Sequence, residues 1–314
     1  MLKTPVLFII FNRPDTTAQV FAAIKQAQPA RLFIAADAPR PGNKTDEERC
    51  RLTREVVSNI DWPCEVFTLF RESNRGCGLG VSEAIQWFFE HNSEGIILED
   101  DCVPHPDFFS FAANMLEKYR DDHQIISVNG SNLGYAPAGS ESYTFSRFMN
   151  MWGWATWSDR AKKIDYNMKE WSEIKHPITW VYQHLRQHLF DTDLNWYRLW
   201  KYKFDKVAED KNFTWDWQWM YYQLSNKKLS IVPSVNLVTN IGFNADATHT
   251  LQHTNPAANI PVQSIGTITH PSNRKLSMKY EEEFVKWVWC YHKRLPTLFY
   301  IKQFLSSFLR KKEN

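Results

Sequence analysis

The chain opens on an unbroken apolar run from Val6 to Phe11. A run of that length reads as a strand covered on both faces. Thr16 to Gln28 follows with Val20, Phe21 and Ile24 at helical spacing, and Arg31 to Ala36 reads as a second buried strand. Thr45 to Asn59 reads as a polar helix opening at a Thr45 cap, with Glu48 three residues on. Cys64 to Phe70 reads as a third strand, Leu79 to Glu90 as a helix, and Gly95 to Leu98 as a fourth strand. This alternation around buried strands predicts a parallel sheet with helices on both faces. Ligands in such sheets sit beyond the carboxyl ends of the strands. Three of those ends are polar: Asn12-Arg13, Asp37 and Glu99-Asp100-Asp101.

From about Arg147 the pattern becomes Trp-rich, with helical patches and no repeat, and Leu229 to Val238 reads as one apolar strand. Ten of the 14 Trp fall between Trp152 and Trp219. Such a cluster is either a core or a set of platforms for sugar rings. The 37 Lys and Arg nearly balance 35 Asp and Glu, so a nucleic-acid partner is not expected. Five cysteines without CxxC spacing argue against a disulfide framework or a Cys-rich zinc site. The apolar start is followed by Asn12-Arg13-Pro14, not by a small-residue cleavage site, and the expected location is cytoplasmic. Residues 284–314 carry seven Lys or Arg against one Glu. From Leu295 to Leu309 apolar residues recur at helical spacing before Arg310-Lys311-Lys312. That tail reads either as a helix lying peripherally on an anionic membrane surface or as a stripe packed on the core.

The carboxylate triplet is the strongest chemical signal. Three adjacent acids at a buried strand end repel one another unless they are fully solvated or a cation sits among them. A hard divalent ion such as Mn²⁺ or Mg²⁺ takes carboxylate, phosphate and water oxygens. Asp216, set between Trp215 and Trp217, is either a general base or an ordinary half-buried helix cap. His184 and His188 lack the Glu of a metalloprotease helix and read as a solvated face. Gly76-Cys-Gly-Leu-Gly80 is no dinucleotide fingerprint and reads as a tight loop lining the nucleotide site.

The segment Ile-Leu-Glu-Asp-Asp-Cys-Val-Pro-His-Pro-Asp-Phe-Phe, ending at Phe109, resembles the metal-binding segment of GT-A-fold glycosyltransferases. It is most similar to N-acetylglucosaminyltransferase I and its relatives, and the overall pattern is similar to bacterial sugar transferases. Trp152-Gly153-Trp154 stands where that family has a Gly-Trp pair. The resemblance covers residues 4–160 well and 160–250 loosely. It implies a GT-A, Rossmann-like α/β fold: a mixed, mostly parallel sheet flanked by helices, with a Trp-rich acceptor side and a C-terminal helical tail. Residues 1–145 would bind the nucleotide-sugar, 146–270 would form the acceptor side of the same catalytic domain, and 271–314 the tail.

Carried over by position, the resemblance gives Asp101 as metal ligand, Glu99 and Asp100 against ribose, base or metal-bound water, and Asp37 as acceptor from a uracil ring. Asn12 and Arg13 would lie beside the nucleotide, and Asp216 would be the catalytic base. His249 would add a metal or diphosphate ligand, and Trp152, Gly153, Trp154 and Trp215 would wall the sugar or acceptor. The implied activity is metal-dependent, inverting transfer from a UDP-sugar, of the N-acetylhexosamine type, to a glycan or lipid-linked glycan. Two alternatives stay open: a sugar-nucleotide nucleotidyltransferase, which normally has a Gly-rich basic loop after the first strand, and a non-enzymatic carbohydrate-binding protein.

Overall fold

A computed structural model describes residues 1–137, 139–185, 194–243 and 259–292. Strands β1 (Val6–Ile10), β2 (Arg31–Ala36), β3 (Glu65–Phe70) and β4 (Glu94–Glu99) alternate with helices α1 (Pro14–Ala27), α2 (Lys44–Val56) and α3 (Gly76–His91). Then come β5 (Cys102–Pro104), α4 (Pro106–Lys118), β6 (Ile125–Asn129), β7 (Tyr143–Ser146) and β8 (Trp154–Trp157). Short helices α5 (Ser158–Ala161), α6 (Lys169–Glu173) and α7 (Pro177–Leu185) lead to α8 (Leu194–Glu209) and α9 (Trp217–Ser225). The chain continues through β9 (Leu229–Pro233), β10 (Val238–Asn240) and α10 (Met278–His292).

Eight strands form one sheet in the order β3-β2-β1-β4-β8-β6-β9-β7. β8 runs antiparallel to β4 and β6, and β7 antiparallel to β9, while the other pairings are parallel. The expected mixed, mostly parallel sheet flanked by helices is therefore present. The unbroken apolar runs follow from two-sided burial. Leu7, Phe33 and Ile97, in register across β1, β2 and β4, face one cluster with α3, α8 and α9. Val6, Phe8, Leu32, Ile34, Ile96 and Leu98 face the other, with α1 and α4.

Several local expectations are corrected. Helix α2 is capped by Asn43, whose side chain accepts from the Asp46 amide at 3.1 Å, so Thr45 lies inside the helix. The 76–80 glycine segment is the first turn of α3, where it packs against the 211–212 turn; Gly78 N donates to Asn212 O at 3.3 Å. β3 is an edge strand, with Val66 and Phe70 exposed. The single strand expected over 229–238 is two, because Pro233 has no N–H to continue the ladder. β10 turns away to pair with β5 in a separate two-stranded sheet.

The Trp-rich region is mostly core: Trp154, Trp157, Trp196, Trp200 and Trp219 are all buried. The start of the C-terminal region also packs inward, through Tyr280, Phe284 and Val285. Buried Glu281 accepts from Arg147 N at 2.9 Å and Nε at 3.2 Å, fixing α10 to the segment after β7. The amphipathic stretch from Leu295 lies outside the described residues. Among those residues, no helix is long and apolar enough to cross a membrane.

Candidate active site

The carboxyl ends of β1 and β4 are neighbours, since the two strands pair in parallel. After β1 the chain runs through Phe11 and Asn12 to Arg13, and Pro14 opens α1 at the N-terminal position that tolerates proline. After β4 it passes Asp100 and Asp101 before entering β5. Arg13 is thereby laid across the acids: its Nη1 donates to Asp101 Oδ2 at 2.7 Å and lies 3.4 Å from Asp100 Oδ1. The other Asp100 oxygen accepts from the Phe11 amide at 3.1 Å.

Burial sets the protonation balance here. It works against the Arg13 charge, but Asp100 and Asp101 outweigh it, and the Arg13 pKa is raised. Burial, opposed by Arg13 and reinforced by Asp101, pushes Asp100 up to about 6. Glu99 rises well above the usual carboxylate range, through burial and then the charges of Asp101, Asp100 and Asp216.

Asp37 and Asn12 occupy the predicted rim but are engaged by the protein itself. The Asp37 carboxylate accepts from the amides of Ala38 at 3.0 Å, Arg75 at 2.9 Å and Gly76 at 2.9 Å, and from Asn74 Nδ2 at 3.1 Å. Four N–H groups fill its lone-pair capacity, so in this conformation it anchors the 74–76 turn and offers no free acceptor to a base. Burial raises its pKa, against the lowering pull of those amides. Asn12 Nδ2 donates to Asp46 Oδ1 at 2.8 Å, and Asn12 O accepts from Arg49 Nε at 2.7 Å, so Asn12 ties β1 to α2. Hydrogen bonds from Arg40, then Asn12, outweigh burial and bring Asp46 down to about 2.

A second group of residues comes from the start of α9 and from the first turn of α3, which packs against the 211–212 turn. Asp216 is half-buried at the N-cap of α9, and the Thr214 hydroxyl donates to its Oδ1. Its charge is felt at Glu99 of β4 and at Cys77 of α3, whose thiol is raised first by burial and then by Glu99 and Asp216. The triplet and the expected base thus share one electrostatic neighbourhood. Sequence reasoning passed over Lys203 and Cys77, which belong to it as well.

The four aromatic-wall residues divide. Trp154 is fully buried, stacked on Trp215 at 5.9 Å and edge-on to Trp219 at 4.8 Å, and Trp215 is only 4% exposed. Neither presents a face to a ligand. Gly153 has φ +62° and an added Cβ would lie 2.7 Å from Val238 Cγ2, so its role is close packing. Trp152 is half-buried and meets Phe243 edge-on at 5.5 Å, next to the loop beside Asp101. His249 lies outside the described residues.

The donors fit a hard cation. Asp101 is 17% exposed at its side chain, and Gly242 keeps one face of it clear: a Cβ there would lie 2.1 Å from Asp101 Oδ2. Among the described residues no three His, Cys, Asp or Glu side chains are placed to hold a metal ion, so a cation at Asp101 would draw the rest of its shell from phosphate and water oxygens.

No family model matches this sequence, and no curated protein matches it. Among solved structures, mouse xyloside xylosyltransferase 1 in its apo form is similar at 10% identity and TM-score 0.34, over 72% of this chain and 82% of that one. An apo UDP-glucose pyrophosphorylase is similar at 9% identity and TM-score 0.33, over 76% and 93%. HddC from Yersinia pseudotuberculosis, complexed with GMP-PN, is similar at 10% identity and TM-score 0.31, over 50% and 77%. Likenesses this remote carry no argument about reaction or substrate.

Proposed function

We propose that the protein is an inverting glycosyltransferase. Its donor is a UDP-sugar of the N-acetylhexosamine type, and its acceptor is a hydroxyl of a glycan or lipid-linked glycan. The observation that carries this reading is Arg13 bridging Asp100 and Asp101 at adjacent strand ends, with the charge of Asp216 felt at Glu99. The resemblance to N-acetylglucosaminyltransferase I is one of sequence motif alone, and the proposed UDP preference rests on that same resemblance.

Each residue has a task in that reaction. Arg13 exchanges a carboxylate for a donor phosphate oxygen, a partner that suits a guanidinium fork. Mn²⁺ or Mg²⁺ held at Asp101 would supply Lewis-acid neutralisation of the departing diphosphate. Asp216 accepts the proton of the acceptor hydroxyl while the acceptor oxygen bonds to the anomeric carbon and the carbon–diphosphate bond breaks. The Thr214 hydroxyl fixes the orientation of that carboxylate. Asp37 holds the 74–76 turn, and Trp152 offers the partly exposed ring for a sugar face.

A hydrolysis screen across UDP-, GDP- and dTDP-sugars, with and without Mn²⁺, tests the proposal. Mn²⁺-stimulated release of UDP from one donor class is expected. Pyrophosphate release from a nucleoside triphosphate and a sugar phosphate would identify a nucleotidyltransferase instead.

A further inference from the structure

The two edges of the eight-stranded sheet are finished differently. At β7 the 269–277 segment lies alongside: Ser142 N donates to Thr269 O at 2.9 Å, Ser277 N donates to Phe145 O at 3.0 Å, and Phe145 bridges Leu276. At β3 no strand or segment does so among the described residues. β3 runs for six residues in regular register with β2, and it contains no Pro, no Lys and no bulge. Those are the devices that ordinarily keep an open edge from pairing with another chain.

Two main-chain bonds fix which groups of β3 face outward. Glu65 N donates to Ala30 O at 2.9 Å, and Arg71 N donates to Ala36 O at 3.0 Å. With the strand period of two, the odd-numbered residues turn their N–H and C=O groups toward β2. The main-chain groups of Val66, Thr68 and Phe70 therefore point away from the sheet. The side chains of these three residues share one face and are exposed, whereas Phe67 and Leu69 pack on the core from the other face. Val66 and Phe70 are 43% and 40% exposed, which places two large apolar groups beside an open ladder.

We propose that β3 is an interaction surface for a second copy of this chain, pairing antiparallel with its own counterpart about a two-fold axis at Thr68. The strand is complementary to itself in that register. Thr68 stands opposite Thr68 of the copy, Val66 opposite Phe70, and Phe70 opposite Val66. Each outward-facing residue then exchanges both of its main-chain bonds with the residue opposite. A slip of one residue is excluded, because an outward-facing residue would meet an inward-facing one. A slip of two leaves one outward-facing residue without a partner inside the strand. The exposed apolar side chains cover one another, and the central threonines form a favourable cross-strand pair. Charge agrees as well, since Glu65 comes opposite Arg71 of the copy. The pairs Arg31–Glu65 at 3.3 Å and Arg71–Glu83 at 2.8 Å are thereby joined across the interface. The assembly is an isologous dimer with one continuous sheet. Because the two copies run antiparallel, their candidate active sites lie at opposite rims, and neither is covered.

Sedimentation velocity of the full chain from about 1 to about 200 μM, with hydrogen exchange of the β3 amides, tests the proposal. Wild type is expected to dimerise reversibly, with exchange at Val66, Thr68 and Phe70 slowing as the dimer forms. T68K and T68E each set two like charges opposite one another and should remain monomeric. Their equimolar mixture should recover the dimer. Thr68 is exposed and its N–H lies outside the β2 ladder, so both variants should melt within a few degrees of wild type. T68R and T68D replace them if either fails to fold. A wild type that is monomeric at about 200 μM overturns the proposal; protected β3 amides in that monomer would show the edge covered by the chain itself. A dimer that T68K leaves intact is built on another face and overturns it too. So does a mixture of T68K and T68E that fails to pair, because the two-fold axis then does not pass at Thr68.

Discussion

Arg13 Nη1 and Asp101 Oδ2 meet at 2.7 Å across the ends of two adjacent parallel strands, although 88 residues separate them in sequence. The contact joins a cation that an incoming diphosphate would claim to a carboxylate that a divalent ion would claim. Both partners are mostly buried, at 16% and 17% side-chain exposure, so the pair is a charged device in a low-dielectric site and more than a surface ion pair.

Replacing Arg13 with Met leaves buried acids uncompensated. In the wild type, the Asp100 pKa is raised from 3.8 to about 6, so the folded state binds more protons than the unfolded state across that interval. Its favourable contribution is full below the lower value and lost as pH rises through the upper one. Without Arg13 the penalty deepens where the acids are ionised. Urea unfolding should show R13M about 3 kcal/mol less stable than wild type near pH 8, with a smaller gap near pH 5. An equal gap at both pH values would contradict this charge balance.

Asp101→Asn should lower turnover by more than about 100-fold and remove Mn²⁺-dependent UDP binding, with the melting temperature within a few degrees of wild type. Retention of over about a tenth of the turnover, a loss of only ~1.4 kcal/mol, would show that Asp101 is not the metal carboxylate.

Asp216→Asn should reduce kcat by about 100-fold or more while UDP affinity stays within about twofold. A group that acts on the acceptor proton affects the transition state, not donor binding. Parallel losses in both would mark Asp216 as structural.

Two neighbouring tryptophans should part company. Trp154→Ala empties a fully buried site and should cost about 3–5 kcal/mol in chemical unfolding. Trp152→Ala should fold with nearly wild-type stability yet raise the acceptor KM. Normal acceptor KM in a stable W152A would remove that ring from the sugar site.

Strands β1, β2 and β4 were legible because burial on both faces leaves their central residues apolar, and the polar residues at or just past the ends of β1 and β4 marked the cleft. β5 and β10 were not legible: three residues each carry no period, and their pairing is a long-range contact. The Trp residues near 152–157 all look alike in sequence, since which ring reaches solvent depends on how β8 enters between β4 and β6. Asp37 looked like a free strand-end acid because the amides that consume it come from a turn near residue 75. Lys203 did carry a signal, a lysine among the buried residues of α8, but Lys201 and Lys206 beside it make it resemble an exposed helix face.

The central claim is that the ends of β1 and β4 form a nucleotide-diphosphate site, and calorimetric titration of UDP into the full-length protein tests it most directly. The expected result is binding that strengthens at least about tenfold with Mn²⁺ and is lost in both R13M and D101N. UDP binding that is absent in the wild type, or unaffected by either substitution, would contradict it.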